Sequence, residues 1–177
     1  MAARRIRYFV PKNAKILFVG INPHYGSYRR GVPFSNNKTF WYNLSRSGLI
    51  EKSIDELRND KELRRFYTTA FWKKYRFGFI NLIDKPTRDV SQLKRGEEKE
   101  GVTRLYKEIK KKRPKAVCFI GKVTYEKFKG KVRNFRFGMQ DAIEGTKFVI
   151  VIRFPIRGPQ QERIKELKKI KKIIEKE

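Results

Sequence analysis

Short apolar runs alternate along the chain with longer stretches in which apolar residues recur every three or four positions. The runs are residues 15–20 (KILFVG), 77–83 (FGFINLI), 115–121 (KAVCFIG) and 147–154 (KFVIVIRF), the last being the strongest. Each is apolar on both faces, the pattern of a strand covered on both sides. A weaker strand falls at 134–140. Helical spacing occupies 39–48, closing at Gly48, and 60–75, with Asp60 as its cap. It returns at 97–112, where Val102, Leu105, Tyr106 and Ile109 share a face and Pro114 follows. A short helix is predicted at 122–129. A final one spans 160–176, with Ile164, Leu167, Ile170, Ile173 and Ile174 on one side. Residues 21–38 (INPHYGSYRRGVPFSNNK) are rich in Gly, Pro, Asn and Ser and read as one long loop. Loops of that length inside a domain usually serve a function. Residues 1–12 form a basic lead-in, and 157–159 a turn.

Strands alternating with helices predict an α/β fold, a three-layer αβα sandwich with a mostly parallel central sheet. No internal repeat or flexible linker interrupts the 177 residues, so one domain is expected over 1–177. In such sheets ligands bind beyond the carboxyl ends of the strands. Four segments fall there: the loop after Gly20, the stretch after Asn81, the loop after Gly121 and the turn after Phe154.

Charge sharpens this picture. Lys and Arg number 45 against 18 Asp and Glu, a net charge of +27. Such self-repulsion calls for a polyanionic partner, with nucleic acid first and an anionic membrane surface as its rival. Heat adaptation is a further reading, but it raises both signs of charge together, whereas here only bases are in excess. No apolar run approaches the roughly 20 residues of a membrane span. No leader-like stretch opens the chain, so the expected location is the cytoplasm, at the nucleoid. With one cysteine (Cys118) and one histidine (His24), neither a disulfide framework nor a conventional zinc site can be built. Neither metal nor organic cofactor is expected.

The chemistry-bearing residues come in an ordered series. Gly20-Ile21-Asn22-Pro23 is followed by Gly31-Val32-Pro33-Phe34 and then Phe40-Trp41. Further on come Tyr75-Arg76-Phe77-Gly78, residues 81–87 (NLIDKPT) and residues 114–126. Taken in order, these resemble the uracil-DNA glycosylase superfamily, most closely its mismatch-specific uracil/thymine branch, over residues 14–177. The resemblance implies a monofunctional DNA glycosylase of base excision repair. Such an enzyme flips a damaged base out of DNA and hydrolyses its N-glycosidic bond. The implied partner is DNA, a duplex with a damaged or mismatched base or a single strand. A prokaryotic monomer is expected.

Residue roles follow from the matched positions. Asn22 is the catalytic candidate, since an amide oxygen can hold a water beneath the sugar carbon while being a poor base. That suits a reaction in which bond breaking runs ahead of water attack. Its alternative is a turn former before Pro23. Phe34 matches the aromatic that stacks on the flipped base. Asn81 matches the amide that reads the pyrimidine edge, the alternative being a buried Asn serving the backbone. Backbone N–H groups at Ile21 and Phe34 are candidates for the pyrimidine oxygens. His24 stands where one branch carries a methyl-excluding side chain, which predicts a narrow pocket preferring uracil; a surface or phosphate-contacting histidine is the alternative. Arg29, Arg30, Ser35, Asn36 and Lys122 are candidate phosphate contacts. Arg157, beside Gly158, is the candidate to fill the gap left by the flipped nucleotide, or else contacts phosphate.

The chain departs from the branch at residues 153–159 (RFPIRGP). Phe154 stands where Asn is usual, and no His or Ser is there to stabilise the leaving base. That departure keeps three alternatives open. One is a bifunctional enzyme that cuts abasic strands through a lysine Schiff base. Another is an inactive DNA-binding module on the same fold. The third is a hydrolase of nucleotides or RNA.

Overall fold

Residues 5–176 are described by a computed structural model; the first four residues of the lead-in and Glu177 lie outside it. The four apolar runs form strands β1 (Ile16–Gly20), β2 (Phe77–Asn81), β3 (Ala116–Ile120) and β5 (Phe148–Ile152). They pair in parallel in the order β2-β1-β3-β5. The weak strand predicted at 134–140 shrinks to β4 (Gly138–Met139), which pairs antiparallel with β5 at the edge.

Alternate residues of each strand face opposite layers. Ile16 and Phe18 of β1, Cys118 of β3 and Ile150 of β5 join one apolar cluster with α2 (Thr39–Arg46), α3 (Ile54–Arg58), α4 (Asp60–Thr68), α5 (Ala70–Lys73) and α8 (Gln160–Glu175). Leu17, Val19, Phe119 and Val151 join the other, with α6 (Lys99–Lys112) and α7 (Lys122–Lys129). The result is the three-layer αβα arrangement. Phe18 sits at the centre of the first cluster, in edge and stacked contact with Phe40, Phe71, Phe77 and Phe79 at ring distances of 5.3–6.4 Å. Truncating such a buried ring to Ala costs about 3–5 kcal/mol. Cys118 is fully buried, and burial pushes its thiol far up, so it is inert packing.

The path of the chain positions a cleft. From β1 it reaches neighbouring β2 through helices on one face, then crosses β1 to β3 through α6 on the other. The loops leaving β1 and β3 therefore part company at a switch point, where α/β sheets open a crevice.

Three helical expectations change. The loop at 21–38 contains a six-residue helix, α1 (Tyr25–Arg30), which starts where His24 Nδ1 accepts the Gly26 N–H and stops at left-handed Gly31. A helix that short leaves too little periodicity to read. The single helix expected at 60–75 breaks at Thr69 into α4 and α5, and its cap is Asn59 rather than Asp60. The Thr68 and Thr69 hydroxyls donate back to carbonyls of Arg64 and Arg65, and Thr69 leaves the helical region. Adjacent β-branched residues that bond backward are a natural breaking point. Helix α3 was not anticipated, although Ser53 and Glu56 form a full capping box at its start.

The lead-in is more than a charged tail. Phe9 accepts the Phe79 N–H through its carbonyl at 3.0 Å and stacks on Trp72 at 5.0 Å. The Tyr67 hydroxyl donates to the Arg7 carbonyl at 2.6 Å. Residues 7–11 thus lie along the outer side of β2. Among the described residues, no helix is long and apolar enough to cross a membrane.

Candidate functional site

Beyond the carboxyl ends of the strands lies a cleft of about 540 Å³. Its walls come from all four segments expected there: Ile21 to His24 after β1, Thr87 to Val90 after β2, Gly121 to Thr124 after β3, and Phe154, Ile156 and Arg157 after β5. Phe34 and Asn36 close it from the α1 loop.

Asn22 is held by its amide nitrogen. Nδ2 donates to the Thr87 hydroxyl at 2.8 Å and the Lys85 carbonyl at 3.0 Å, with the Pro23 carbonyl at 3.4 Å. Segment 85–87 is itself pinned to β1's loop, since Thr87 N–H donates to the Pro23 carbonyl. With the nitrogen committed, Oδ1 makes no hydrogen bond to the described residues and is left as an acceptor at the cleft wall. An amide so fixed can orient a donor such as water without taking its proton.

Phe34 lines the cleft, half-buried, against Phe40, Phe79 and Phe154 at ring distances of 5.4–5.7 Å. Its φ of +54° is a left-handed conformation that costs a β-carbon-bearing residue about 1–2 kcal/mol. The turn is kept in shape by Ser27, whose Oγ accepts the N–H groups of both Ser35 and Asn36.

Asn81 ends β2, directly opposite Gly20 of β1. It does not line the cleft but lies buried behind Phe34. A β-carbon on Gly20 would stand 2.4 Å from Asn81 Oδ1 and 2.8 Å from the Phe34 ring. Only glycine lets the amide and the ring come this close to β1. Asn81 Nδ2 donates to the Tyr8 hydroxyl at 2.8 Å, while its Oδ1 is buried without a partner. Burial raises the Tyr8 hydroxyl well above its ordinary range, so it stays protonated. An unpaired buried acceptor costs about 1–3 kcal/mol.

The other candidates separate. Ile21 and His24 line the cleft, and His24 also caps α1, a role its sequence context did not announce. With Nδ1 accepting, the neutral ring carries its proton on Nε2. Asn36 and Lys122 line the cleft, Lys122 in a loose 3.7 Å pair with Glu126. Arg29 is exposed outside it. Arg30 is not free to grip phosphate. It pairs with Asp60 at 2.9 Å and donates to the Ser35 carbonyl, bracing the loop. Ser35 is fully buried, and its hydroxyl donates to the Val32 carbonyl at 2.6 Å, which removes it from any DNA contact.

Arg157 is exposed on the cleft rim beside Asp89. The Ser91 N–H holds the Asp89 carboxyl below its usual range, with Arg157 adding a smaller attraction. Gly158 lies outside the lining and serves the loop instead. Its φ is +83°, and a β-carbon there would meet the Arg163 guanidinium at 2.7 Å.

Two residues that shape this rim were not anticipated. Arg163 of α8 is nearly buried and donates to the carbonyls of Phe154 and Pro159 at 3.3 Å and to that of Arg157. Gln160 donates to the Pro155 carbonyl at 2.8 Å and is itself fixed by Asn43 of α2. Arg163 stands four residues before Leu167 and seven before Ile170, on the buried stripe. A charged residue on an apolar stripe was the available signal. Val90, Val123, Phe137, Phe154 and Ile156 rim the cleft as exposed apolar side chains.

A family model described as the uracil DNA glycosylase superfamily matches residues 7–174.

Proposed function

The chain belongs to the uracil DNA glycosylase superfamily, whose members act on DNA and hydrolyse N-glycosidic bonds, and on that premise we propose a monofunctional uracil-excising enzyme of the mismatch-specific type. The observation that carries the reading is Asn22: its nitrogen is tied on three sides and its oxygen is left at the cleft wall. In this reading a uracil turned out of the duplex enters the cleft with one face on Phe34. Asn81, buried behind Phe34 and not lining the cleft, reads the pyrimidine edge only once the Phe34 ring moves aside. The backbone N–H groups of Ile21 and Phe34 serve, in this reading, as the donors to the uracil carbonyl oxygens. Asn22 Oδ1 accepts a hydrogen bond from the attacking water. The C–N bond breaks first, the base departing as an anion with the bonding pair. The water's oxygen then joins the sugar carbon, and the water's proton passes through solvent to the departed base.

Residues 153–159 hold no His or Ser to stabilise the leaving base. Phe154 and Ile156 form an apolar wall there. Charge on the departing base is then met by hydrogen bonds to the pyrimidine edge and by the field of Lys122 and Arg157 in the cleft lining. His24 narrows the pocket, which favours uracil over thymine.

The test is a panel of oligonucleotides carrying uracil, mismatched thymine or hypoxanthine, scored for abasic sites. Uracil release is expected, with thymine released much more slowly. Asn22→Ala should reduce the single-turnover rate by roughly 10²-fold or more while binding to uracil-containing duplex changes less than about twofold. Equal release of thymine and uracil would overturn the narrow pocket, and unchanged rate in Asn22→Ala would overturn the water-holding role.

One observation favours a second reading, strand cleavage at the abasic product. Lys122 lines the cleft. Its amine would form an imine with the opened sugar aldehyde, releasing water, and β-elimination would follow. Borohydride trapping on abasic DNA, present in the wild type and absent in Lys122→Ala, would select it.

A further inference from the structure

The end of the sheet opposite the cleft is built as a cationic platform. Each of the four parallel strands is preceded by a base: Lys15 before β1, Arg76 before β2, Lys115 before β3 and Lys147 before β5. Backbone hydrogen bonds knit these segments into one surface. Lys15 N–H donates to the Arg76 carbonyl, Ala116 N–H to that of Lys15, and Phe148 N–H to that of Lys115. Asn13 N–H donates to the carbonyl of Lys112, which brings Lys112 and Arg113 to the same place.

Part of this charge has a structural task. Arg76 donates to the Lys12 carbonyl, and Lys115 Nζ to the Ile174 carbonyl at 2.9 Å, which satisfies exposed backbone at the end of α8. That accounts for two cations. Lys12, Lys15, Lys112, Arg113 and Lys147 form no ion pair among the described residues. Glu144, three residues before Lys147, is engaged by Lys110 at 3.0 Å, and Glu108, one turn before Lys112 on α6, forms no ion pair among the described residues. Five unpaired cations on one face are costly without an anion to meet them.

We propose that this face binds the phosphate backbone of a second DNA segment while the cleft holds the first. Charge complementarity selects the ligand class. None of the large exposed apolar side chains belongs to these segments, so a protein partner finds no anchor and a membrane no inserting residue. Cations alone suit sequence-independent phosphate contact. Distance makes the segment a second one. Five-residue strands at about 3.3 Å per residue put some 17 Å of sheet between the two ends. A straight duplex seated at the cleft does not reach round. The consequence is transfer of the protein between DNA segments without full release.

The experiment loads the protein on an immobilised duplex bearing a stable abasic analogue and then offers a fluorescent undamaged duplex. The wild type is expected to capture the second duplex, with a slope of log affinity on log salt near −4.5, from about 0.9 per phosphate for five contacts. The Lys12→Gln/Lys15→Gln/Lys147→Gln variant should lower that slope by about 2.7 and capture by tenfold or more. Its single-turnover base release should stay within about twofold of wild type. Failure of the wild type to capture a second duplex at about 50 mM salt would overturn the proposal. So would equal capture by the triple variant, or capture of anionic vesicles or an acidic protein in place of DNA. If no base is released from any lesion but an undamaged second duplex is still captured, the reading of the cleft fails and this face stands.

Discussion

The two walls of the cleft are held by different means. The wall after β1 and β2 is held from within. Asn22 leans on Thr87 and on carbonyls of its own loop partners, and Gly20 lets Asn81 and Phe34 close on the strand. The wall after β5 has almost no such support. Its carbonyls at 154, 155, 157 and 159 are gathered by two side chains of α8, Arg163 and Gln160. The first wall carries the residues matched to the superfamily and the second carries the departure from it. A wall built from its own backbone fixes the chemistry. A wall hung from a helix can change its sequence while keeping its shape, because only its carbonyls are bound.

The comparison can be broken most sharply at Arg163. Arg163→Met keeps the packing but strands three carbonyls, each such loss costing about 1–3 kcal/mol where buried. A drop of about 3 kcal/mol in denaturant stability is expected, together with a raised KM for damaged duplex and a nearly unchanged single-turnover rate. Arg163→Lys should restore part of both. A fall in the rate alone would mean that the second wall takes part in the chemistry.

Gly20→Ala attacks the other wall. The added methyl must displace Asn81 Oδ1 or the Phe34 ring, and overpacking of this kind costs about 1–3 kcal/mol. Here the rate should fall with the stability, the opposite of the pattern at Arg163. Thr87→Val is gentler. It removes one hydrogen bond from Asn22, about 1 kcal/mol, so a roughly fivefold slower chemical step with unchanged duplex affinity is expected, and Thr87→Ser should recover it.

The smallest effect concerns acid. Lys38, with Arg30 adding to it, lowers the Asp60 carboxyl below its ordinary range. A depressed carboxyl contributes stability that is present above its unfolded pKa and disappears as pH falls through the folded one. Asp60 is largely exposed, so solvent screens the pairs and the loss is slight. Wild type should show a shallow fall in melting temperature below about pH 4 that Asp60→Asn lacks.

Strand runs and the long helices were legible because burial on both faces and the 3.6-residue period leave marks in local sequence. The capping box at Ser53 went unread, because the helix after it is only five residues long and carries no period of its own. Other features were not local. Ser35 looked like a phosphate contact because its loop is polar, yet the loop folds its hydroxyl inward onto Val32. Arg30 looked free beside Arg29, yet Asp60 lies thirty residues away. Tyr8 gave no sign of touching Asn81, a partner 73 positions on. Of the positions matched by motif, Asn22 and Phe34 line the cleft and Asn81 does not. What holds them came from distant chain and left no pattern.

The strip of chain at 7–11 has a last consequence. By accepting the Phe79 N–H and packing Phe9 on Trp72, it sheathes the outer side of β2, and the opposite margin offers only the two residues of β4. Neither margin presents a long bare template onto which another molecule's strand could zip. Trimming the chain past residue 11 would therefore do double harm: the amide at Asn81 loses its tether, and an apolar β ribbon is opened to self-association and fibre growth.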